Sequence, residues 1–482
     1  MCSSPTGNPP PPAARAAWWD ASLFGASTLL AAVAAGTDYI PLQREWARLA
    51  LGPYAAATVA AVLLAVRWRR RPVRRPLLAR TVIAVAVLVG AALIPLSLEV
   101  SWRTHDGDGF HAQSEVVLIE RGAQALLHGT DPYDISYDGG PLADYPSGVR
   151  DHIPYLPGVF AFGLPRALLG AGPLTDARVA ITAVSLVAAL LALALAGASG
   201  DRRLLALTVL LALPTGARYL TGGGDDVAVL AVLALALVLE HRRRPVAAGA
   251  VIGLAAAVKQ TAWLPLPFLA LAARDRHGRH ATGRFLAAAA AVVASVVAPF
   301  AVWNARRLID SAVLYPLGLT REPTIARGPT LGRLLAAPFP YDKGAIEAAL
   351  AGIVISVVAL LVAYRTPTGV RAATEQASVV FALTVLLATA GRPGYLIYPL
   401  NLLVWGRLLE TDEGSDERPA APVAAPGPAG RAPARTLAAG DARRPASRRT
   451  VGGARTRSRR SACRPAHPRP GTRRSHRRGP RA

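Results

Sequence analysis

The chain has 482 residues, 52% hydrophobic and 17% charged, with a mean hydropathy of +0.32. Soluble domains are about a quarter charged, and here apolar runs near the roughly 20 residues that cross a bilayer recur from Leu23 to Leu409. That excludes a soluble enzyme and points to an all-α polytopic membrane protein with about 11–13 transmembrane helices. The formal charge is +24, and from Thr411 onward 18 Arg face 5 acids, so over half of the excess lies in a tail that no bilayer holds. A solvated, disordered tail accounts for that charge, with anionic lipid headgroups as its natural contact and no nucleic-acid partner expected.

Residues 1–17 are Pro-rich and lack a basic stretch followed by a cleavage site, so no signal peptide is expected and Trp18 opens the first anchor. N-terminal transmembrane helices are expected over 18–98, an extracytoplasmic loop over 99–152, a transmembrane core over 153–409 and the tail over 410–482. Cys2 and Cys463 both fall in the termini, which leaves the core without a disulfide or a thiol metal site. The basic clusters Arg67–Arg75, Arg202–Arg203, Arg242–Arg244, Arg274–His280 and Arg365–Arg371 belong in the cytoplasm by the positive-inside rule, together with the tail. A span at 79–97 then exports the loop. Further spans are expected at 204–217, 227–239, 246–258, 262–273, 285–303, 345–364, 377–390 and 395–409. Gly222–Asp226, Lys259–Thr261, Asn304–Lys343 and Gly391–Tyr395 then lie at the outer face. Between the loop and Arg202 two apolar segments, 153–170 and 177–197, occupy a place where parity allows one crossing. Pro154, Pro157 and Pro165 interrupt the first, so it is expected to be re-entrant or a pair of short half-helices.

The outer loop gathers Asp106, Asp108, Glu115, Glu120, Asp131, Asp134, Asp138, Asp144 and Asp151, and long loops between spans are where function concentrates. Within it Val116, Ile119, Ala123, Leu126 and Leu127 recur at helical spacing. An amphipathic helix over Glu115–Leu127 lying on the outer leaflet fits them, stopped by Gly129 and followed by an Asp131-Pro132-Tyr133 turn. Glu115 then stands at the helix start, either facing a cavity at the membrane surface or simply complementing the helix dipole. His105, His111, His128 and His152 share this loop, but their spacing matches no common zinc site. No phosphate-binding glycine loop follows a strand, which speaks against an ATP-driven pump.

Lys259 is the sharpest cationic candidate. The chain has two lysines, Lys259 and Lys343, and the first lies inside the apolar stretch Ala247–Trp263. Intramembrane charge is costly and marks function by default, the alternative being a lysine that snorkels to the outer interface. Gln260 is a neighbouring donor. Arg218, Arg392 and Tyr395 are suited to clamping a phosphate or sugar hydroxyls, with interfacial anchoring as the alternative. Asp225 and Asp226 either pair with Arg218 or contact substrate, and a divalent ion is the third option.

The order GAQALLHGTDPYD, IPYLPG, GGGDD, AAGAVIGLAAAVKQTAW and GRPGYLIYPLNLLVW resembles glycosyltransferase family 87, from about Trp102 to Leu409. The resemblance implies a GT-C-type fold with a long first extracytoplasmic loop. It also implies transfer of a sugar, mannose in the family's usual chemistry, from a polyprenyl-phosphate donor to a glycolipid or polysaccharide acceptor outside the plasma membrane. An acid in the first large loop would be the base. The family shows an Asp upstream of the G-x-DPY turn, where this chain has Glu115, and Asp108 and Asp106 are its rivals. Where many relatives carry Gly-Gln-Asn/Asp, this chain has Gly223–Asp226.

The chemistry suits these residue types. A carboxylate removes the proton of an attacking sugar hydroxyl, and fixed cations stabilise the leaving lipid phosphate. An inverting route needs one base and no covalent intermediate, so no cofactor is expected, although a divalent metal is compatible. Lys259 with Arg218 or Arg392 would hold the phosphate. The alternative from another class is a lipid or solute transporter, which calls for internal repeats and mid-membrane charges; no repeat is visible.

Overall fold

A computed structural model describes residues 11–409 apart from 39, 72–73, 107–110, 144, 323, 325, 327 and 340–342. The described residues form an all-helical protein. In chain order the helices are α1 (Pro12–Thr37), α2 (Pro41–Arg70), α3 (Pro76–Leu88), α4 (Ile94–Asp106), α5 (Ser114–Leu127), α6 (Ser147–Asp151), α7 (Leu164–Leu169), α8 (Ala177–Leu195) and α9 (Gly200–Leu207). They continue with α10 (Pro214–Gly222), α11 (Asp226–His241), α12 (Pro245–Val258), α13 (Leu266–Ile309), α14 (Tyr315–Leu317), α15 (Leu331–Ala336), α16 (Lys343–Tyr364), α17 (Val370–Leu387) and α18 (Ile397–Leu408). Proline opens α1, α2, α3, α10 and α12, a position where its missing N–H costs nothing.

Among the described residues, seven helical stretches are long and apolar enough to cross a membrane, or eight if the bent pair Gly200–Ala212 and Pro214–Gly222 is one span. The number falls below the eleven to thirteen expected for two reasons. Helices α11, α12 and α18 are shorter than 18 residues, and the segments expected at 262–273 and 285–303 run through one element, kinked where Gly278 takes φ 80°. The proline-broken stretch 153–170 does not span. It is a 3-10 turn, Pro157–Phe162, followed by the six-residue α7, two short segments where a re-entrant stretch or a pair of half-helices is expected.

Helices α1 and α2 pack through small side chains. Ala14, Ala17, Ala21, Ser27, Ala31 and Ala34 line the buried face of α1, and Ala47, Ala50, Ala57, Ala61 and Ala65 that of α2. In lipid, where apolar area gives no net drive between helices, close backbone approach of this kind supplies the attraction. The same logic explains Gly249 and Gly253 in α12. A Cβ at Gly249 would lie 2.1 Å from the Phe285 carbonyl oxygen, and one at Gly253 would lie 2.8 Å from that of Ala289. Two π turns, Val89–Leu93 between α3 and α4 and Thr208–Ala212 after α9, shift the backbone register. Their carbonyls are satisfied from α2: the Trp46 indole donates to Ala91 O at 2.8 Å and the Tyr54 hydroxyl to Ala212 O at 2.7 Å. A buried carbonyl with no partner would cost about 1–3 kcal/mol, so these two side chains hold the turns in place.

Helix α5 forms over the expected residues, yet it does not lie on a leaflet. Val116, Val117, Leu118, Ile119 and Ala123 are buried in a cluster with Tyr133, Val159 and Phe160, while Leu127 is exposed. Gly122 and Gly163 permit this, since a Cβ on either would overlap Phe160 or the Ile119 carbonyl.

Candidate active site

Four chain segments converge on Lys259. Helix α12 ends at Val258, and Lys259 itself is extended (φ −148°, ψ 138°). Its ammonium lies 2.6 Å from Asp225 Oδ1 and 2.7 Å from Asp226 Oδ1, at the start of α11. The Leu156 N–H donates to Val258 O at 3.0 Å, and Gly158 fits against the Ala257 carbonyl, where a Cβ would stand 2.7 Å away. That seating brings the Tyr155 ring to 5.0 Å from Lys259 Nζ, with the Tyr395 ring at 5.9 Å. The Tyr398 hydroxyl donates to Asp226 Oδ1 at 2.6 Å and accepts from Thr261 Oγ1 at 2.7 Å. Asp225 Oδ2 is buried and has no hydrogen-bond partner.

Glu115 reaches the same place from α5. Gly223 closes α10 in the left-handed region (φ 97°), and a Cβ there would overlap Val116 and Arg178. The Gly222 carbonyl accepts from the Gln113 N–H at 3.2 Å, so the glycine run lies directly on the first turn of α5. Glu115 Oε1 stands 3.6 Å from Arg392 Nη1. Gly394 lets that turn sit on the Tyr219 hydroxyl, which a Cβ would meet at 1.8 Å. Burial first and the Glu115 charge second push the Tyr155 phenol well above its ordinary value, so it remains a hydroxyl. Two cations, Lys259 and Arg392, thus face three carboxylates, Glu115, Asp225 and Asp226.

The other sequence candidates separate from this group. Arg218 pairs with Asp38 at 3.6 Å, not with Asp225 or Asp226. Gln260 donates to the Ala312 and Pro154 carbonyls, which ties it to the scaffold. Asp106 is the last residue of α4, and Asp108 lies outside the described residues, as does Asp144.

Most remaining loop acids have structural work. Glu120 accepts from Arg103 at 2.7 Å and from the Ala177 N–H at 2.9 Å, and Asp176 joins Arg103 and Arg178 in the same buried network. Asp131 accepts from the Tyr133 N–H, Asp134 pairs with Arg307 at 2.6 Å, and Asp138 pairs with Arg150. Sequence reading missed Tyr155 and Tyr398. Each lies in a quoted motif, and Tyr398 follows Tyr395 by one helical turn.

Two cavities among the described residues are lined by other side chains. An apolar one of about 330 Å³ is lined by Leu317, Leu319, Val354, Leu387 and Ala390. A polar one of about 620 Å³ is lined by Asp134, Asp151, His152, Arg306, Arg307 and Arg321.

Residues 154–390 match the model of glycosyltransferase family 87. The chain belongs to glycosyltransferase family 87. It is therefore a membrane glycosyltransferase. No curated protein matches the chain, and neither does any solved structure. The matched stretch is narrower than the Trp102–Leu409 of the sequence resemblance. It holds Tyr155, Asp225, Asp226 and Lys259, while Glu115, Arg392, Tyr395 and Tyr398 lie outside it.

Proposed function

We propose that this family 87 protein moves a hexosyl group, mannose in the reading that the motifs favour, from a polyprenyl-phosphate sugar to a glycolipid or polysaccharide hydroxyl on the outer face of the plasma membrane. The observation that carries the reading is the Glu115 carboxylate beside Arg392, in one cluster with Lys259, Asp225 and Asp226. The acceptor hydroxyl attacks the sugar's anomeric carbon, Glu115 takes the hydroxyl proton, and the bond to the phosphate oxygen breaks with its electron pair leaving on the lipid phosphate. The product has inverted configuration and no glycosyl-enzyme is formed.

Arg392 is the cation for the leaving phosphate, because its fork of donors suits a phosphate and it faces a single carboxylate. Lys259 already meets two carboxylates. Its part is to hold Asp225 and Asp226 in place, leaving Asp225 Oδ2 to accept from a sugar hydroxyl. The apolar cavity that Ala390 lines suits the lipid chain of the donor, and the arginine-bearing polar cavity suits the acceptor headgroup. Sidedness is supported by α11, which carries Asp225 and Asp226 at one end and Arg242–Arg244 at the other.

The test is transfer of radiolabelled mannose from polyprenyl-phosphate mannose in membranes expressing the chain, with Glu115→Gln alongside. Label entering a glycolipid with the intact chain and not with the variant supports the reading. Absence of transfer from mannosyl and every other polyprenyl-phosphate hexose donor overturns it.

A further inference from the structure

We propose that Glu45, Glu99 and His111 form a binding site for one divalent transition-metal ion of the zinc type, separate from the Lys259 cluster. The three residues come from three places: the first turns of α2, the first half of α4, and the turn that leads into α5. His111 Nδ1 lies 3.2 Å from Glu99 Oε2 and 3.6 Å from Glu45 Oε2, and the three ligand atoms all fall within 4.8 Å of one another. Tetrahedral coordination with bonds of about 2.0–2.1 Å sets ligand atoms about 3.3–3.4 Å apart, which the two distances from His111 bracket.

The surroundings call for a cation there. Glu99 is fully buried (0% exposed), and its Oε1 has no hydrogen-bond partner; Glu45 is 32% exposed, but its Oε2 is covered and also lacks one. One imidazole nitrogen donates at most one proton, whereas two carboxylates converge on it. A divalent ion satisfies both carboxylates and the imidazole lone pair together, and a mixed nitrogen and oxygen set is what zinc takes. The backbone holds the ligand in position from behind: Arg178 Nη1 donates to the His111 carbonyl at 2.6 Å. Trp102 packs its ring against the imidazole at 5.5 Å, a hydrophobic wall of the kind that limits water access to a metal.

None of the three residues lies in the stretch matched by family 87, and the inference stands apart from the sugar chemistry. The ion would tie α2 and α4 to the lead of α5, four residues before Glu115, which makes Glu45, Glu99 and His111 positioning residues for that carboxylate.

The experiment is metal analysis of the purified full chain in detergent, after repletion with Zn²⁺, Mn²⁺ or Mg²⁺ and dialysis. The expected result is about one equivalent of zinc in the wild type and in Asp225→Asn, with a loss of at least about tenfold in Glu99→Gln and in His111→Asn. Cobalt loading of the wild type supplies a readout that needs no variant, the visible d–d absorption of a four-coordinate site. A wild type that keeps none of the three metals and shows no cobalt bands overturns the proposal. So does metal retained by His111→Asn but lost from Asp225→Asn, which would move the ion to the Lys259 cluster. Failure of mannose transfer leaves this result untouched.

Discussion

At the scale of single residues, Glu115 lies beside Arg392 and takes the acceptor's proton in the proposed reaction. Glu115→Gln keeps the shape and removes the base, so transfer should fall by about 10²–10⁴-fold with the amount of protein in the membrane unchanged. A Glu115→Gln variant that transfers at wild-type rate would assign the base elsewhere. Lys259 behaves differently because it is buried against two carboxylates. Lys259→Met strands both charges, and breaking a buried ion pair from one side costs about 3–5 kcal/mol, so stability in detergent should fall together with activity. Pairing it with Asp225→Asn should restore much of the melting temperature and none of the transfer, measured by thermal unfolding and the mannose assay. Stability that stays low in the double variant would mean that the aspartate charge is not what the lysine offsets. The lysine was legible because the chain has so few. Its partners were not, since Asp225 lies 34 residues away and only packing of α11 on α12 brings it near. Arg218 looked like the partner on sequence proximity, but Asp38 occupies it.

At the scale of helices, the motif glycines belong to packing and the residues beside them to the cluster. Gly249 and Gly253 let α12 approach α13 so closely that a Cβ at either would meet a backbone carbonyl, and this approach sets where Lys259 emerges. Gly249→Leu should therefore lower folded yield sharply by fluorescence-detected size exclusion, whereas Gly283→Leu, at a glycine with open space around it, should not. Equal loss from both would assign the effect to helix propensity. Tyr54→Phe tests the π turn after α9 in a milder way: removing the donor to the Ala212 carbonyl should cost about 1–3 kcal/mol, read as a lower melting temperature. Periodicity and proline placement made the helices visible in advance, including the half-helices at 157–169. Helix lengths were harder to read, because interior helices such as α11 and α12 are covered by protein and need no full bilayer-length apolar run. The burial of α5 was hidden for a related reason. Its apolar positions fit a leaflet or a protein groove equally well, and only Phe160 and its neighbours decide between them.

For the whole molecule, the Lys259 cluster and an arginine run sit at opposite ends of α11. Helix α11 runs from Asp226 to His241, about 24 Å at 1.5 Å per residue, with the cluster at its start and Arg242–Arg244 just past its end. Helix α2 ends in Arg67, Arg69 and Arg70, on the side that the positive-inside rule assigns to the cytoplasm. If the charge sets the orientation, α5 and its loop must face outward, and a donor carried on a lipid then meets the cluster from the outer leaflet. Single-cysteine labelling decides this. In a chain with Cys2 and Cys463 replaced by serine, His128→Cys marks the exposed end of α5 and Arg243→Cys marks the exposed turn after α11. A membrane-impermeant maleimide on intact cells should label the first fully and the second only after the membrane is opened. The reverse pattern would place the cluster in the cytoplasm, where activated sugars reach it as soluble nucleotides, and would replace the lipid-linked donor by one of that class.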